Sequence, residues 1–167
     1  MKYFLLGFMG SGKTTVGKKL GAHYQLKFVD LDAEIERSEG RTTNEIFNQF
    51  GEDYFRERER DILRKLSSAD NLIVSCGGGT PCFFDNMDWM NENGTTIYLK
   101  AEPNFLATRL ENSKRSRPLL KDFSGEELKR KVKDLLAARE IFYEKSKYIL
   151  PALDLDIKSF KQIIPYQ

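Results

Sequence analysis

Residues 4–17 read FLLGFMGSGKTTVG: an apolar run, a glycine-rich turn, a lysine and two threonines. Two readings compete for these letters. Lys2 ahead of apolar residues could open a secretory signal, or the run could be a buried strand feeding a phosphate-binding loop. The signal reading fails on three counts. Residues 3–9 are at the short end for a signal's apolar region, no small-x-small cleavage site follows, and Lys13, Lys18 and Lys19 stand where apolar or small residues belong. The loop reading fits throughout. Gly7 to Thr14 matches G-x-x-x-x-G-K-[ST] between a strand pattern and a helix pattern. Glycines let the backbone take positive φ and approach a ligand closely. The resulting ring of N–H groups, with the N-terminus of the next helix, receives phosphate oxygens. Lys13 would reach the β- and γ-phosphates, and the Thr14 hydroxyl would ligate Mg²⁺.

Around this loop the chain looks like one compact unit. At 167 residues it can bury a sizeable core as a single domain, 1–167. Its 40% hydrophobic and 31% charged content are ordinary for a globular protein. The 27 basic and 25 acidic residues, net +2, are too balanced to signal nucleic-acid binding. Nothing approaches the ~20 apolar residues of a membrane span, so the expectation is a soluble, cytoplasmic monomer. Cys76 and Cys82, without a signal, read as reduced thiols rather than a disulfide. With His23 as the one histidine, a histidine-based metal site or triad has nothing to build on.

Short apolar runs alternate with longer amphipathic ones. Strands are expected at 3–6, 27–29, 72–75, 96–99 and 148–150. Helices are expected at 13–24, 32–39, 43–50, 52–67, 83–92, 103–110 and 125–145, Pro103 suiting a helix start. Such alternation implies right-handed crossovers and a mostly parallel sheet covered on both faces. The long irregular piece, 111–125, carries Lys114, Arg115 and Arg117, and loops of that length are functional or disordered. Its Pro118-Leu119-Leu120 would serve as the apolar anchor of a movable flap.

Further candidates for chemistry follow. The third strand ends in Cys76 and three glycines, supplying no carboxylate for a metal, and no Asn-Lys-x-Asp segment marks a guanine switch protein. The carboxylates come instead from Asp30-Leu31-Asp32 after the second strand, where ligands of open α/β sheets gather. Either aspartate could instead cap the next helix, and Asp32 before Ala-Glu-Ile-Glu makes a plausible N-cap. Capping explains one aspartate better than two. Phe55-Arg-Glu-Arg-Glu59 is a charged helical run with Glu52 and Arg56 at i,i+4, a pattern that usually marks a solvated face. Gly77, Gly78 and Gly79 clear side chains from the end of a strand.

Taken together and in order, these pieces resemble the shikimate kinase family. The likeness runs through GFMGSGKTTVGKKL from Gly7, DLD at Asp30, FRERE at Phe55, CGGG at Cys76, RPLL at Arg117 and Arg139-x-x-x-Tyr143. It implies a three-layer α/β/α fold with a five-stranded parallel sheet, P-loop and nucleoside-monophosphate-kinase-like. A flexible lid at about 111–125 and substrate-binding helices at about 32–66 would complete it. The implied activity is an ATP-dependent phosphotransferase with an alcohol acceptor. It moves the γ-phosphoryl of ATP to the 3-hydroxyl of shikimate, giving 3-phosphoshikimate and ADP in aromatic amino acid biosynthesis.

The resemblance also implies roles. Gly10, Ser11, Gly12, Lys13, Thr14 and Thr15 would hold ATP, and Arg117 would close over its phosphates. Thr14 would bind Mg²⁺ directly and Asp30 through water. Arg56 and Arg139 would grip the shikimate carboxylate, Glu59 would orient Arg56, Asp32 would bond the ring hydroxyls, and the backbone of Gly77, Gly78 and Gly79 would close the pocket. Lys13, Asp32 and Arg117 would carry catalysis. The partners are ATP and shikimate, with neither nucleic acid nor membrane. The sequence departs from the family's usual letters at Cys76, where Thr is frequent, at Ile149-Leu-Pro-Ala, and at Arg109, one position from an adenine-stacking arginine. A kinase of another polyol acid such as gluconate would not need Arg56, Arg139 and the three glycines. A binding module that had lost catalysis would not need Lys13, Thr14, Asp32 and Arg117 intact.

Overall fold

Phe4, Leu5 and Leu6 are each fully buried, because the strand that holds them lies mid-sheet with helices on both faces, the setting that favours a continuous apolar run. The computed structural model describes residues 1–113 and 118–165. Five parallel strands, β1 (Lys2–Leu6), β2 (Lys27–Asp30), β3 (Leu72–Ser75), β4 (Thr95–Lys100) and β5 (Tyr148–Pro151), form one sheet in the order β2-β3-β1-β4-β5. Among the described residues six α-helices surround it: α1 (Lys13–Tyr24), α2 (Leu31–Glu39), α3 (Thr43–Lys65), α4 (Asn86–Asn93), α5 (Pro103–Glu111) and α6 (Gly125–Tyr143). Leu5 faces a core with Leu20 of α1 and Phe160, while Phe4 and Leu6 face one with Ile35, Leu63 and Met90. A third cluster joins Phe8 and Tyr98 to α5 and α6.

This topology positions the site. The chain leaves β1 for β2 on one side, and β3 reaches β4 by crossing over β1 to the other. The loop after β1 therefore sits where connections diverge, the crevice in which open α/β sheets bind ligands. Asp30 and Ser75 pair in register at the ends of β2 and β3, and Leu5 pairs Ser75 on the other side.

Strands and helices fall close to the expected positions, with three instructive differences. The break expected between helices at 43–50 and 52–67 is present, since Gly51 (φ 82°, ψ 174°) interrupts α3 with non-helical backbone, but the second part ends at Lys65 and a 3-10 turn, Leu66–Ser68, follows it. No atom of the other described residues lies within 4 Å of where a Cβ would be at Gly51, so glycine is required there by conformation rather than space. The helix expected from 83 starts at Asn86. A 3-10 turn, Thr80–Cys82, precedes it, and the buried Asn86 amide donates to the Thr80 carbonyl at 2.9 Å. Phe83 is extended and lies under the Arg56 guanidinium at 4.3 Å. The third difference is small: α6 ends at Tyr143 rather than 145. Leu120 packs with Leu106, Leu128 and Val132 of α5 and α6, as an apolar anchor would. No helix among the described residues is long and apolar enough to cross a membrane.

Candidate active site

Gly10 and Gly12 hold φ of 85° and 94°, so the loop after β1 takes a course that side-chain-bearing residues rarely follow. Gly12 is the N-cap of α1 and offers no side chain to its first-turn amides. Residues 12–15 line a cleft, where an anion can accept from such uncapped N–H groups. Lys13, 8% exposed, spans the loop from within, donating to the carbonyls of Gly7 at 2.8 Å and Phe8 at 2.9 Å.

Beside it the Thr14 hydroxyl donates to Asp30 Oδ2 at 2.9 Å and lies 3.3 Å from Ser75 Oγ. Asp30, not Asp32, caps α2: its Oδ1 accepts from the Ala33 amide at 3.3 Å. Of the two aspartates that could cap the helix, Asp30 does so, because the helix begins one residue earlier than expected, at Leu31. Sequence reasoning missed Ser75. The readable signal was a hydroxyl ending an otherwise apolar strand, in the place where many ATPases carry an aspartate.

Two clefts open along the carboxyl edge of the sheet. The first, of about 150 Å³, is lined by Gly10, Gly12, Lys13, Thr14, Thr15, Asp30, Ser75 and Arg109 among others; Ser11 is not part of that lining and is buried. The second, of about 230 Å³, is lined by Arg56, Glu59, Gly79, Arg139, Pro118 and Leu119 with the start of α3. Met9, Asp32, Gly77 and Gly78 belong to both walls. Asp32 therefore stands between them. Arg117 lies outside the described residues, next to Pro118.

On α3 the pattern that usually marks a solvated face does not hold at Arg56 and Glu59. Arg56 is 5% exposed and Glu59 fully buried. Arg56 Nη1 donates to Glu59 Oε2 at 2.9 Å, its Nε and Nη2 donate to Glu52 at 3.2 and 3.0 Å, and the Thr80 hydroxyl donates to Glu59 Oε1 at 2.6 Å. Burial pushes the Glu59 carboxyl up, against the pull of Arg56 and Thr80. Burial opposes the Arg56 charge, but Glu59 and Glu52 outweigh it and hold the guanidinium's pKa above its usual value. The pair is ionic and fixes the guanidinium plane against Phe83 and Phe55.

The three glycines are required by space rather than by unusual φ. A Cβ on Gly77 would lie 2.9 Å from both Asp32 Oδ1 and Glu59 Oε1, and one on Gly78 would lie 3.0 Å from Arg139 Nη1. One on Gly79 would lie 2.5 Å from Arg56 Nη2. Both guanidinium groups thus lie against bare backbone. Arg139, 5% exposed, stands over the Phe8 ring at 5.7 Å, and its Nη1 is buried with no hydrogen-bond partner among the described residues. Tyr143, one turn on, donates to the Gly78 carbonyl and pins the glycine turn to α6. Burial pushes the Tyr143 hydroxyl up, so it remains a donor. Cys76 and Cys82 are both free thiols; burial raises Cys82 to about 11 and Cys76 further.

A phosphate cradle, an acidic side chain on the dividing wall and two buried guanidinium groups beyond it suit phosphoryl transfer to a small hydroxylated acid. The comparisons point the same way. The family model described as shikimate kinase matches residues 9–165. A shikimate kinase of Phocaeicola vulgatus is 45% identical over 157 residues, covering 94% of this chain and 90% of the relative. The crystal structure of shikimate kinase from Bacteroides thetaiotaomicron superposes with a TM-score of 0.88 at 38% identity, covering 97% of this chain and 93% of that one. Shikimate kinase from Acinetobacter baumannii in complex with shikimate gives 0.87 at 35% identity, with 97% and 92% covered. Likeness of that extent, over nearly the whole of both partners, places this chain in the shikimate kinase family.

Proposed function

We propose that this chain transfers the γ-phosphoryl of ATP to the 3-hydroxyl of shikimate, giving 3-phosphoshikimate and ADP. The observation that carries the reading is the wall shared by the two clefts, with Asp32 between the phosphate loop and the paired arginines. ATP lies in the first cleft, its phosphates on the N–H groups of residues 10–15 and on Lys13. Shikimate lies in the second. Its carboxylate meets Arg139 Nη1, which has no hydrogen-bond partner among the described residues, and Arg56, held in plane by Glu59. That geometry turns the ring toward Asp32, which accepts from the attacking hydroxyl and takes its proton late in a loose transfer. Arg117, on a lid formed by residues 111–125, closes over the phosphates.

Thr14, Asp30 and Ser75 present hard oxygens within hydrogen-bond reach of one another, a set suited to Mg²⁺. Thr14 would hold the ion directly and Asp30 through water. An ion held by these residues would supply charge neutralisation for the phosphates. The enzyme acts in the cytoplasm as a monomer, with small molecules as its partners. The near-neutral charge supports the absence of a nucleic-acid role.

Turnover of Mg-ATP with a panel of hydroxy acids tests the reading. Shikimate should be phosphorylated and gluconate should not, and a reversed preference would overturn it. Shikimate methyl ester should be a poor substrate, because it lacks the charge that two buried arginines require.

The arginines should differ in what else they cost. Arg139→Ala should raise the dissociation constant for shikimate about 30-fold, equivalent to ~2 kcal/mol for an anion losing a desolvated partner. Its effect on unfolding should stay within about 1 kcal/mol. Arg56→Ala should weaken binding similarly and also destabilise the fold by about 3–5 kcal/mol, since Glu59 is left buried and unpaired. Calorimetric titration and urea melts of both variants check this; equal stability losses would contradict it.

Gly79→Ala isolates the role of space. The native φ of −92° admits alanine, so only the 2.5 Å approach to Arg56 Nη2 is disturbed. Shikimate affinity should fall by at least ~5-fold, within the range for overpacking a tight site, while ATP affinity holds. Unchanged affinity in titrations would show that the glycine is dispensable.

A further inference from the structure

The acceptor cleft has one wall built from the end of α2 and the start of α3, contributing Glu36, Thr42, Thr43, Asn44 and Phe47. Most of its polar groups are already used. Thr42 is the helix cap: its hydroxyl accepts from the Glu45 amide at 3.2 Å, while its own amide and hydroxyl donate to Glu45 Oε2 at 2.7 and 2.9 Å. Thr43 gives its amide and its hydroxyl to Glu36 Oε1 at 2.8 and 2.9 Å. Asn44 is different. Its Oδ1 is buried and has no hydrogen-bond partner among the described residues.

An unpaired buried carbonyl lowers the stability of the free protein, so it calls for an explanation. Capping does not provide one, because Thr42 already caps α3. Asparagine also has no helical preference that would place it in a first turn interior. The explanation lies in the cleft. At the far end two arginines are matched to a carboxylate, and Asp32 is matched to the hydroxyl that attacks. A ring acid with several hydroxyls still has others to satisfy. A neutral carboxamide both donates and accepts, which suits a hydroxyl. Glu36 on the same wall repels the substrate's carboxylate and so keeps that end away.

We propose that Asn44 is a specificity-determining residue of the acceptor site, its carboxamide hydrogen-bonding a ring hydroxyl of the substrate other than the one phosphorylated. This rests on the shikimate kinase reading. The consequence is discrimination. A site built to pair with a hydroxyl rejects the analogue that lacks it, because its own polar group is then left buried and alone.

The test uses the full chain, wild type and Asn44→Ala, with shikimate and the two monodeoxy analogues that keep the 3-hydroxyl. Asn44→Ala should raise KM for shikimate about 10-fold, as expected for one lost hydrogen bond with its partner unsatisfied, and leave kcat within about twofold. KM for ATP should not move. For one deoxy analogue, wild type and variant should have the same KM, since the hydroxyl that Asn44 would bind is missing. The substrate-free variant should melt no lower than wild type, because the unpaired carbonyl has been removed. An unchanged KM for shikimate overturns the proposal, as does an equal loss across shikimate and both analogues. Failure of the wild type to phosphorylate shikimate at all would instead overturn the parent reading, and this inference with it.

Discussion

Lys13→Ala is expected to lower kcat by about 10³-fold, toward the upper end of what one electrostatic donor to a transferring group contributes. Lys13 is buried and lines the cleft of the phosphate loop together with Gly10, Gly12 and Thr14. In the ligand-free chain its ammonium donates to the carbonyls of Gly7 and Phe8. The letters alone assign Lys13 to the phosphates, so by themselves they give no reason for the mutant to lose stability. Its burial and its two carbonyl partners change that expectation. Alanine leaves both carbonyls short of a donor, and stability should fall by about 1–3 kcal/mol while the chain still folds. Turnover should be measured with urea melts of the same preparations. Near-normal turnover in a folded variant would remove the phosphate loop from the mechanism.

Asp32→Asn is expected to lose at least ~10²-fold in kcat, the range for residues that orient an attacking group and accept its proton. A loose transfer needs little nucleophile bonding, so Asp32 is not required to be a strong base. Its work is to accept a hydrogen bond from the hydroxyl and aim it across the wall between the clefts. Asparagine keeps the size but offers a weaker acceptor and a competing donor. The structure sharpens the control. Because Asp30 caps α2, the substitution spares the cap, and only a first-turn charge near the helix N-terminus is lost. That effect is about 0.3–1 kcal/mol. A large stability loss with activity preserved would mean that Asp32 is structural and that another group positions the hydroxyl.

The two substitutions differ in where their information came from. The lysine could be placed from the letters alone, since a loop, a strand before it and a helix after it are local matters. So are the φ values that Gly10 and Gly12 must adopt, and the alternation that spaces five strands among helices. The same locality made the ends of α1 and β3 legible to the residue.

Long-range contacts decided the rest. The charge pattern around Arg56 suits a solvated face because helical spacing shows who neighbours whom along a helix, not what packs against it. Thr80, the glycine turn and Phe83 come from elsewhere in the chain and bury the charges of Arg56 and Glu59. The triple glycine looked like a plain turn or an open strand end. Its cause is that the Arg139 and Arg56 guanidinium groups lie 3.0 and 2.5 Å from where Cβ atoms on Gly78 and Gly79 would be, and the Asp32 and Glu59 carboxylates 2.9 Å from one on Gly77. Ser75 joined Thr14 and Asp30 only through the register of β2, β3 and β1. The sequence by itself determined the phosphate loop, the alternation that makes a parallel sheet, and the residue types able to hold an acid. Only the tertiary structure decided which charges are buried, which aspartate caps and which divides the clefts. Desolvation and close packing depend on atoms far apart in the chain, and no local pattern encodes them.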